Sequence, residues 1–480
     1  MQSGYWNKTI PAGAAAFLLG FVLSNAEVYA ASGAVMILAA VCIAYQNLKR
    51  SSSCLSPAAL FSLAWIGGAG VSCLKLSNLQ VKWERMTWIT IAAAWLCFIV
   101  AYMGISMLLR NSGGPSDEEN GGVSAVRLAA ANTAWGRYNS RSYGTTADRQ
   151  AGARRRKMLL VVMDILTAVS VVSLLIEARV LGYIPLFTED TPHAYSYFHI
   201  SGLHYFTVVS ALVPSFGILY LMSDGRIRKS DLVHVSLCIT ISILIPVLLV
   251  SRFQLIFSVM LALMSGLSAS GIRPAKMINA RTLGLSASGF LMVMALYVFI
   301  TVERAHSVEY LNGIFEMKNP DTPIWITQPY IYIANNFDNL NCLVRDLPAH
   351  THGLRMLFPF FALTGLKFIF PQLVSFPIYV TKEELTTVTI VYDAYYDFGL
   401  AGVIIFAVLL GASAALLEYA VRRYGKTQPA LHVLWAQVCF YLAFAFFTTW
   451  YSNPATWFYL GVTVLCLVVW GLRRRRRRRR

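Results

Sequence analysis

The feature that most constrains this chain is a succession of long apolar runs. One stretch, ISILIPVLLVSRFQLIFSVMLALMSGL, covers residues 241–267 and contains a single charge, Arg252. Comparable runs cover 11–25, 28–45, 55–75, 87–109, 158–181, 202–222, 232–250, 254–271, 284–302, 354–370, 398–420, 431–450 and 456–472. A helix needs about 20 apolar residues to cross the hydrocarbon core of a bilayer. In that solvent every backbone polar group must be satisfied internally, which selects helices. The chain is 57% hydrophobic and only 13% charged, a balance that excludes an ordinary water-soluble domain. The expected fold class is therefore all-α: a polytopic membrane protein with about 12 transmembrane helices and one long external loop.

Charge placement sets the expected orientation, because short cytoplasmic loops carry excess Lys and Arg. The basic residues collect at Lys49 and Arg50, in 110–157, at Arg226 to Lys229, at Arg273 to Arg281, at Arg422 to Lys426 and in the tail 473–480. They share one side only if both termini are cytoplasmic and 354–370 does not cross. That run, punctuated by Pro359 and Pro371, then reads as an interfacial or bent helix. The expected organisation is transmembrane helices in 1–302, a long external segment in 303–397, transmembrane helices in 398–472 and a cytoplasmic arginine tail in 473–480. Within the first of these, 110–157 is a flexible cytoplasmic loop, too poor in apolar residues to build a core. A net charge of +17 would suggest nucleic acid in a soluble protein. Here it sits at membrane edges facing anionic headgroups, so no nucleic-acid partner is expected.

The eight cysteines form no CxxC pair, and most lie inside apolar runs. They read as small buried hydrophobes, with no disulfide framework and no metal site. No repeat relates the two halves, although many transporters are built from inverted repeats.

A mid-membrane arginine costs roughly 2.5–3.5 kcal/mol on insertion scales, so such residues face a cavity or partner. Arg252 sits in a tight turn, VSRFQ, with apolar flanks that hold it near membrane depth. It either snorkels to headgroups or binds an anion from an outward cavity, where its planar fork matches phosphate oxygens. Arg179 and Arg304 end other spans on the same expected side, next to Glu177 and Glu303. They are either edge ion pairs or, with Arg252, a ring of cations. The stretch RDLPAHTHGLRMLFPFF adds His350, His352 and Arg355. The two histidines are too close in sequence to be convincing metal ligands without a third. A histidine near arginines suits a general base, and His352, at the turn before an apolar helix, is the better placed. In TVTIVYDAYYDFGLAGVII, Asp397 reads as a helix N-cap. Tyr392, Tyr395 and Tyr396 are either interfacial belt residues or platforms for sugar rings.

These stretches resemble the bacterial oligosaccharide repeat-unit polymerases, the Wzy-type O-antigen and capsule polymerases, and the related O-antigen ligases. The resemblance is carried by LSPAALFSLAWIGGAGVSCLKL with WERMTWITIAAAWLCFIVAYMGI, by ARVLGYIPLF, by SRFQLIF and, most specifically, by TVTIVYDAYYDFGLAGVIIFAVLLGA; YIYIANNFDNLNCLV is looser. It implies a GT-C-like glycosyltransferase without cofactor or metal. At the external or periplasmic face of the plasma membrane, it would move a glycan from undecaprenyl pyrophosphate onto another lipid-linked repeat unit. Membrane lipids, a flippase and a chain-length regulator are the implied partners.

Carried over by position, Arg252 fits the family's arginine turn. His352 fits its loop histidine only approximately, because HTHG replaces the ligase pattern. On this reading Arg252, Arg304, Arg179 and Arg355 bind pyrophosphate and His352 is the base. Asp397 or Asp393 steadies charge at the anomeric carbon, and the three tyrosines bind sugar. The alternatives are an O-antigen ligase-type transferase and a non-enzymatic flippase for lipid-linked oligosaccharide. A flippase would show repeated halves and charges buried in mid-span.

Overall fold

The computed structural model describes residues 3–51, 53–111, 146–188, 194–223, 227–271 and 308–478. Arg304, the apolar run 284–302 and residues 112–145 of the basic loop lie outside the described residues. Among the described residues the fold is all-helical, with only an isolated bridge between Ser77 and Met317. Nine helices among them are long and apolar enough to cross a membrane, and two shorter apolar helices join them.

The first layer comprises α1 (Ser3–Asn25), α2 (Tyr29–Arg50), α3 (Pro57–Cys73) and α4 (Arg85–Asn111). Lipid gives helices no hydrophobic incentive to associate, so close van der Waals packing and interhelical hydrogen bonds must do it. Gly33 of α2 and Gly70 of α3 supply the first. A Cβ on Gly33 would lie 2.7 Å from the Gly70 carbonyl, and one on Gly70 would lie 3.0 Å from the Gly33 carbonyl. The indoles supply the second: Trp65 donates to the Ile91 carbonyl at 2.8 Å and Trp95 to the Ser62 hydroxyl at 2.9 Å, locking α3 on α4.

The remaining helices of five residues or more are α5 (Thr146–Leu181), α6 (His204–Val208), α7 (Val213–Leu221), α8 (Lys229–Leu248), α9 (Arg252–Ser270), α10 (Val308–Phe315), α11 (Ile324–Asp346), α12 (Phe358–Leu363), α13 (Tyr392–Tyr424), α14 (Ala430–Ala443) and α15 (Pro454–Arg478). Helix α13 packs along α4, where Glu418 accepts from Tyr102 and Arg422, both at 2.6 Å. Gln254 of α9 and Tyr459 of α15 both donate to the Val208 carbonyl, at 3.0 and 3.3 Å. The run 202–222 is split into α6, a 3-10 turn and α7, because Pro214 lacks the N–H that would continue the ladder. The run 431–450 is helical only to Ala443. Beyond it Trp450 folds back and donates to the Phe444 carbonyl at 2.8 Å.

The two ends of the bundle are chemically different. The basic starts of α5 and α8 lie at one end with the α13–α14 turn, and there an Arg155 guanidinium N–H donates to the Lys426 carbonyl. At the opposite end Lys82 reaches the carbonyl of Asn25 at 3.2 Å, bringing the α1–α2 turn level with the segment after α3. The region expected to be external gathers at this second end. Residues 354–370 do not form one helix: α12, a single turn at Leu366–Ile369 and a 3-10 turn at Pro371–Leu373 replace it. Gly365, at φ 79°, and the prolines break the path. Phe360, Phe368 and Ile369 remain exposed, leaving this broken strip apolar on its surface.

A polar helix at the bundle end and a candidate anion site

Helix α13 is longer than its apolar run predicts and begins at Tyr392 rather than Phe398. Gly399, at φ 59° and ψ −146°, breaks it. Only glycine populates that region without strain. The break separates a short leading piece carrying Asp393, Tyr396 and Asp397, which share one face by their three- and four-residue spacing. This face receives the turn 350–357.

Asp397 is not the N-cap of its own helix. It is fully buried, and its carboxylate accepts the Thr351 hydroxyl, the Arg355 N–H at 3.2 Å and the Met356 N–H at 2.8 Å. Its backbone carbonyl accepts the His352 N–H at 3.1 Å. A carboxylate in this position neutralises unsatisfied donors at the start of a helical turn, so Asp397 caps the neighbouring segment. The sequence makes Asp397 the N-cap of the helix that follows it; the structure instead gives its carboxylate to the turn 351–356.

Arg355 projects from that capped turn onto the leading piece of α13. Its Nε donates to Asp393 Oδ1 at 2.6 Å, and its guanidinium carbon stands 4.5 Å from the centroid of Tyr396 and 5.8 Å from that of Tyr392. The Arg355 side chain is 16% exposed and Asp393 6%. Among the described residues the two Nη groups of Arg355 carry no further hydrogen bond. A guanidinium held through Nε and stacked on a ring, with its Nη edge uncommitted, is preorganised for an oxyanion.

The tyrosines are buried. Tyr392 donates its hydroxyl to the Tyr379 carbonyl and accepts the Tyr379 N–H, both at 2.9 Å. Tyr396 is flanked by Phe376, Tyr379 and Tyr392 at 5.9–6.4 Å, and the Arg355 guanidinium lies over its ring. Tyr395 lies 6.2 Å from the His350 ring. The structure therefore brings together Arg355, Asp393, Asp397, Tyr392 and Tyr396, with both histidines beside them. The Nδ1–H of His350 donates to the Tyr396 carbonyl at 3.2 Å, and its Nε2 lies 3.0 Å from where a Cβ on Gly399 would be. His352 is exposed at φ 52°, its ring 6.3 Å from Phe398.

Arg252 is half-buried as the first residue of α9, after Val250 at φ 52°. Its neighbour Phe253 stacks on Phe447 at 5.3 Å and Trp450 at 5.6 Å. The same 444–452 segment accepts the Ile390 N–H through Ala445 at 2.8 Å. The arginine turn and the start of α13 thus meet one shared segment at one bundle end. Arg179 is exposed near the end of α5. Its neighbour Glu177 faces inward instead, accepting from Ile200 N–H at 3.0 Å, His204 Nδ1 at 3.1 Å and Thr207 at 2.7 Å.

A second polar centre was not anticipated. Asp338 of α11 is 1% exposed and accepts four donors: Lys75 Nζ at 2.6 Å, Ser72 Oγ at 2.8 Å, and Gln80 Nε2 and Trp83 Nε1 at 2.7 Å each. Tyr330 donates to Gln80, and burial pushes its phenol pKa up, so the donor stays protonated. Asn341 accepts the Glu84 N–H and Thr87 hydroxyl at 2.8 Å each, and Asn339 donates to the Leu385 and Thr387 carbonyls at 2.7 Å each. Phe337 packs against Trp65 at 5.2 Å. With its oxygens saturated, Asp338 anchors α11 to the end of α3. The signal was present as amide and acid density in IANNFDNLNCLV, facing a lysine that closes an apolar run.

Comparison finds no family model, no curated protein and no solved structure that matches the chain.

Proposed function

We propose that the chain is a membrane-embedded, metal-independent glycosyltransferase that joins undecaprenyl-pyrophosphate-linked oligosaccharide repeat units into a polysaccharide. The uncommitted Nη edge of Arg355, at the bundle end opposite the basic helix termini, carries this reading. A carrier diphosphate lies at the membrane surface, and the guanidinium that meets it must be fixed in place before binding. Asp393 and Tyr396 fix this one. Arg252 approaches from the other side of the 444–452 segment, and Arg179 adds charge at the same level.

In this scheme the acceptor sugar hydroxyl attacks the donor's anomeric carbon. A new glycosidic C–O bond forms as the bond to the diphosphate oxygen breaks. The diphosphate leaves with the bonding pair and is neutralised by Arg355 and Arg252. The hydroxyl proton passes to the exposed His352, while His350 is pinned as a positioning residue. Asp397 holds the turn that carries Arg355 and His352. The exposed apolar strip of α12 and Leu366–Ile369 lies in the interface and admits the polyprenyl tail.

Adding the two shorter apolar helices and run 284–302 to the nine spans gives about 12 crossings of the plasma membrane. Both termini are then cytoplasmic and the site is external or periplasmic. The test is elongation of a synthetic undecaprenyl-diphosphate oligosaccharide by protein in liposomes. Wild type is expected to make ladders of repeats, and Arg355→Ala to lose at least about 100-fold in rate, as for loss of a charged transition-state contact. Absence of ladders from well-folded wild type with matched donor and acceptor, or full activity in Arg355→Ala, refutes the reading.

A further inference from the structure

At the bundle end opposite that site, Asp164 of α5 meets His234 and Cys238 of α8. His234 and Cys238 are one helical turn apart and present their side chains on one face. His234 Nε2 lies 2.6 Å from Asp164 Oδ1, and Cys238 Sγ 3.8 Å from the same oxygen. One ligating atom from each residue can be chosen so that all lie within 4.8 Å of one another. Its apolar run makes Cys238 a small buried hydrophobe, yet its thiol sits beside two groups that bind metal.

We propose that Asp164, His234 and Cys238 form a site for a borderline divalent cation, zinc by ligand chemistry, clamping α5 to α8. Imidazole, carboxylate and thiolate are the ligand types zinc takes. Bonds of about 2.0–2.3 Å in a tetrahedron put ligand atoms roughly 3.3–3.6 Å apart, so closing the site needs only small side-chain rotations. Thr167, one turn from Asp164, lies beside the Cys238 thiol, and its hydroxyl is 3.4 Å from that of Ser242. These hydroxyls are suited to orient a thiolate from the outer shell.

His234 lies five residues beyond Lys229 and Asp164 seven beyond Lys157, roughly 7–10 Å along each helix. The site therefore opens just inside the basic collar. Asp164 and His234 are nearly half uncovered by protein, which leaves a fourth coordination position open. This inference is independent of the transfer chemistry.

The experiment is titration of chelator-stripped, purified protein in nanodiscs with cobalt(II), read by absorption. Wild type is expected to show a thiolate-to-cobalt charge-transfer band with tetrahedral visible bands, saturating at one equivalent and displaced by zinc. Cys238→Ser abolishes the charge-transfer band, whereas Cys42→Ser retains it. His234→Gln and Asp164→Asn weaken cobalt affinity at least about tenfold, as loss of one ligand requires, and are read alone should Cys238→Ser not fold. No band in folded wild type, or a band unchanged in these variants, overturns the site.

Discussion

Arg355 Nε donates to Asp393 Oδ1 at 2.6 Å, and this bond sets the guanidinium over the Tyr396 ring. The two residues come from segments 38 positions apart in sequence, joined where the Asp397-capped turn meets the leading piece of α13. Asp393→Asn keeps the shape and removes the charge. The expected result is a fall in transfer rate of about 10-fold or more, because a charge-assisted bond contributes about 1.5–3 kcal/mol. Rate and melting temperature measured on the same preparation separate loss of positioning from loss of fold.

Lys75 and Asp338 form a buried pair whose members are 3% and 1% exposed. Lys75→Met leaves an uncompensated buried carboxylate and should destabilise by about 3–5 kcal/mol. Lys75→Met with Asp338→Asn should recover most of that loss. Thermal unfolding in detergent checks both, and equal melting of wild type and Lys75→Met contradicts the assignment of this pair as the anchor of α11.

Gly399→Ala tests the kink. The backbone angles disfavour any Cβ, and the added methyl would lie 3.0 Å from His350 Nε2. A loss of about 1–3 kcal/mol is expected, together with reduced transfer. Gly461→Ala, where a Cβ meets nothing within 4 Å, should stabilise α15 by about 0.5–1 kcal/mol. The opposite ranking of the two variants contradicts the kink's role.

Burial pushes the Cys342 thiol up to about 11 from an ordinary 9.0, against the opposing pull of Arg345. The raised value means the folded chain keeps this proton through the range where the unfolded chain loses it. Alkylation of Cys342 in folded protein should therefore stay slow at pH 9 and rise towards pH 11. In denatured protein it should be fast already at pH 9. Mass-spectrometric mapping of Cys342 in folded and denatured protein measures this, and equal reactivity of the two at pH 9 contradicts the burial.

The transmembrane frame was legible because apolar length is a strong signal: α2, α4, α8 and α9 lie within a few residues of their runs. The gathering of basic helix ends, such as Arg155 beside Lys426, at one end of the bundle was readable too as charge clustering. Failures came where one residue's partner is distant in sequence. Asp397 looked like a cap for the helix it precedes, but its acceptors serve Arg355 and Met356. Glu177 looked paired with Arg179 two residues on, yet residues at that spacing diverge around a helix, and Glu177 turns to His204. The polar density around Asp338 was visible, but its partners were not, because its donors come from Ser72 to Trp83, more than 250 positions earlier. Tyr392 and Tyr396 share the pattern of aromatic platforms, but tertiary packing buries them around Tyr379 and Arg355.

The central claim is that the Nη edge of Arg355 grips a carrier diphosphate. Its most direct measurement is the affinity of undecaprenyl diphosphate for wild type and Arg355→Ala in nanodiscs, at matched fold and salt. The account predicts binding at least about 10-fold weaker in the variant, the loss of about 1.4 kcal/mol or more. Equal affinity in the two proteins would contradict it.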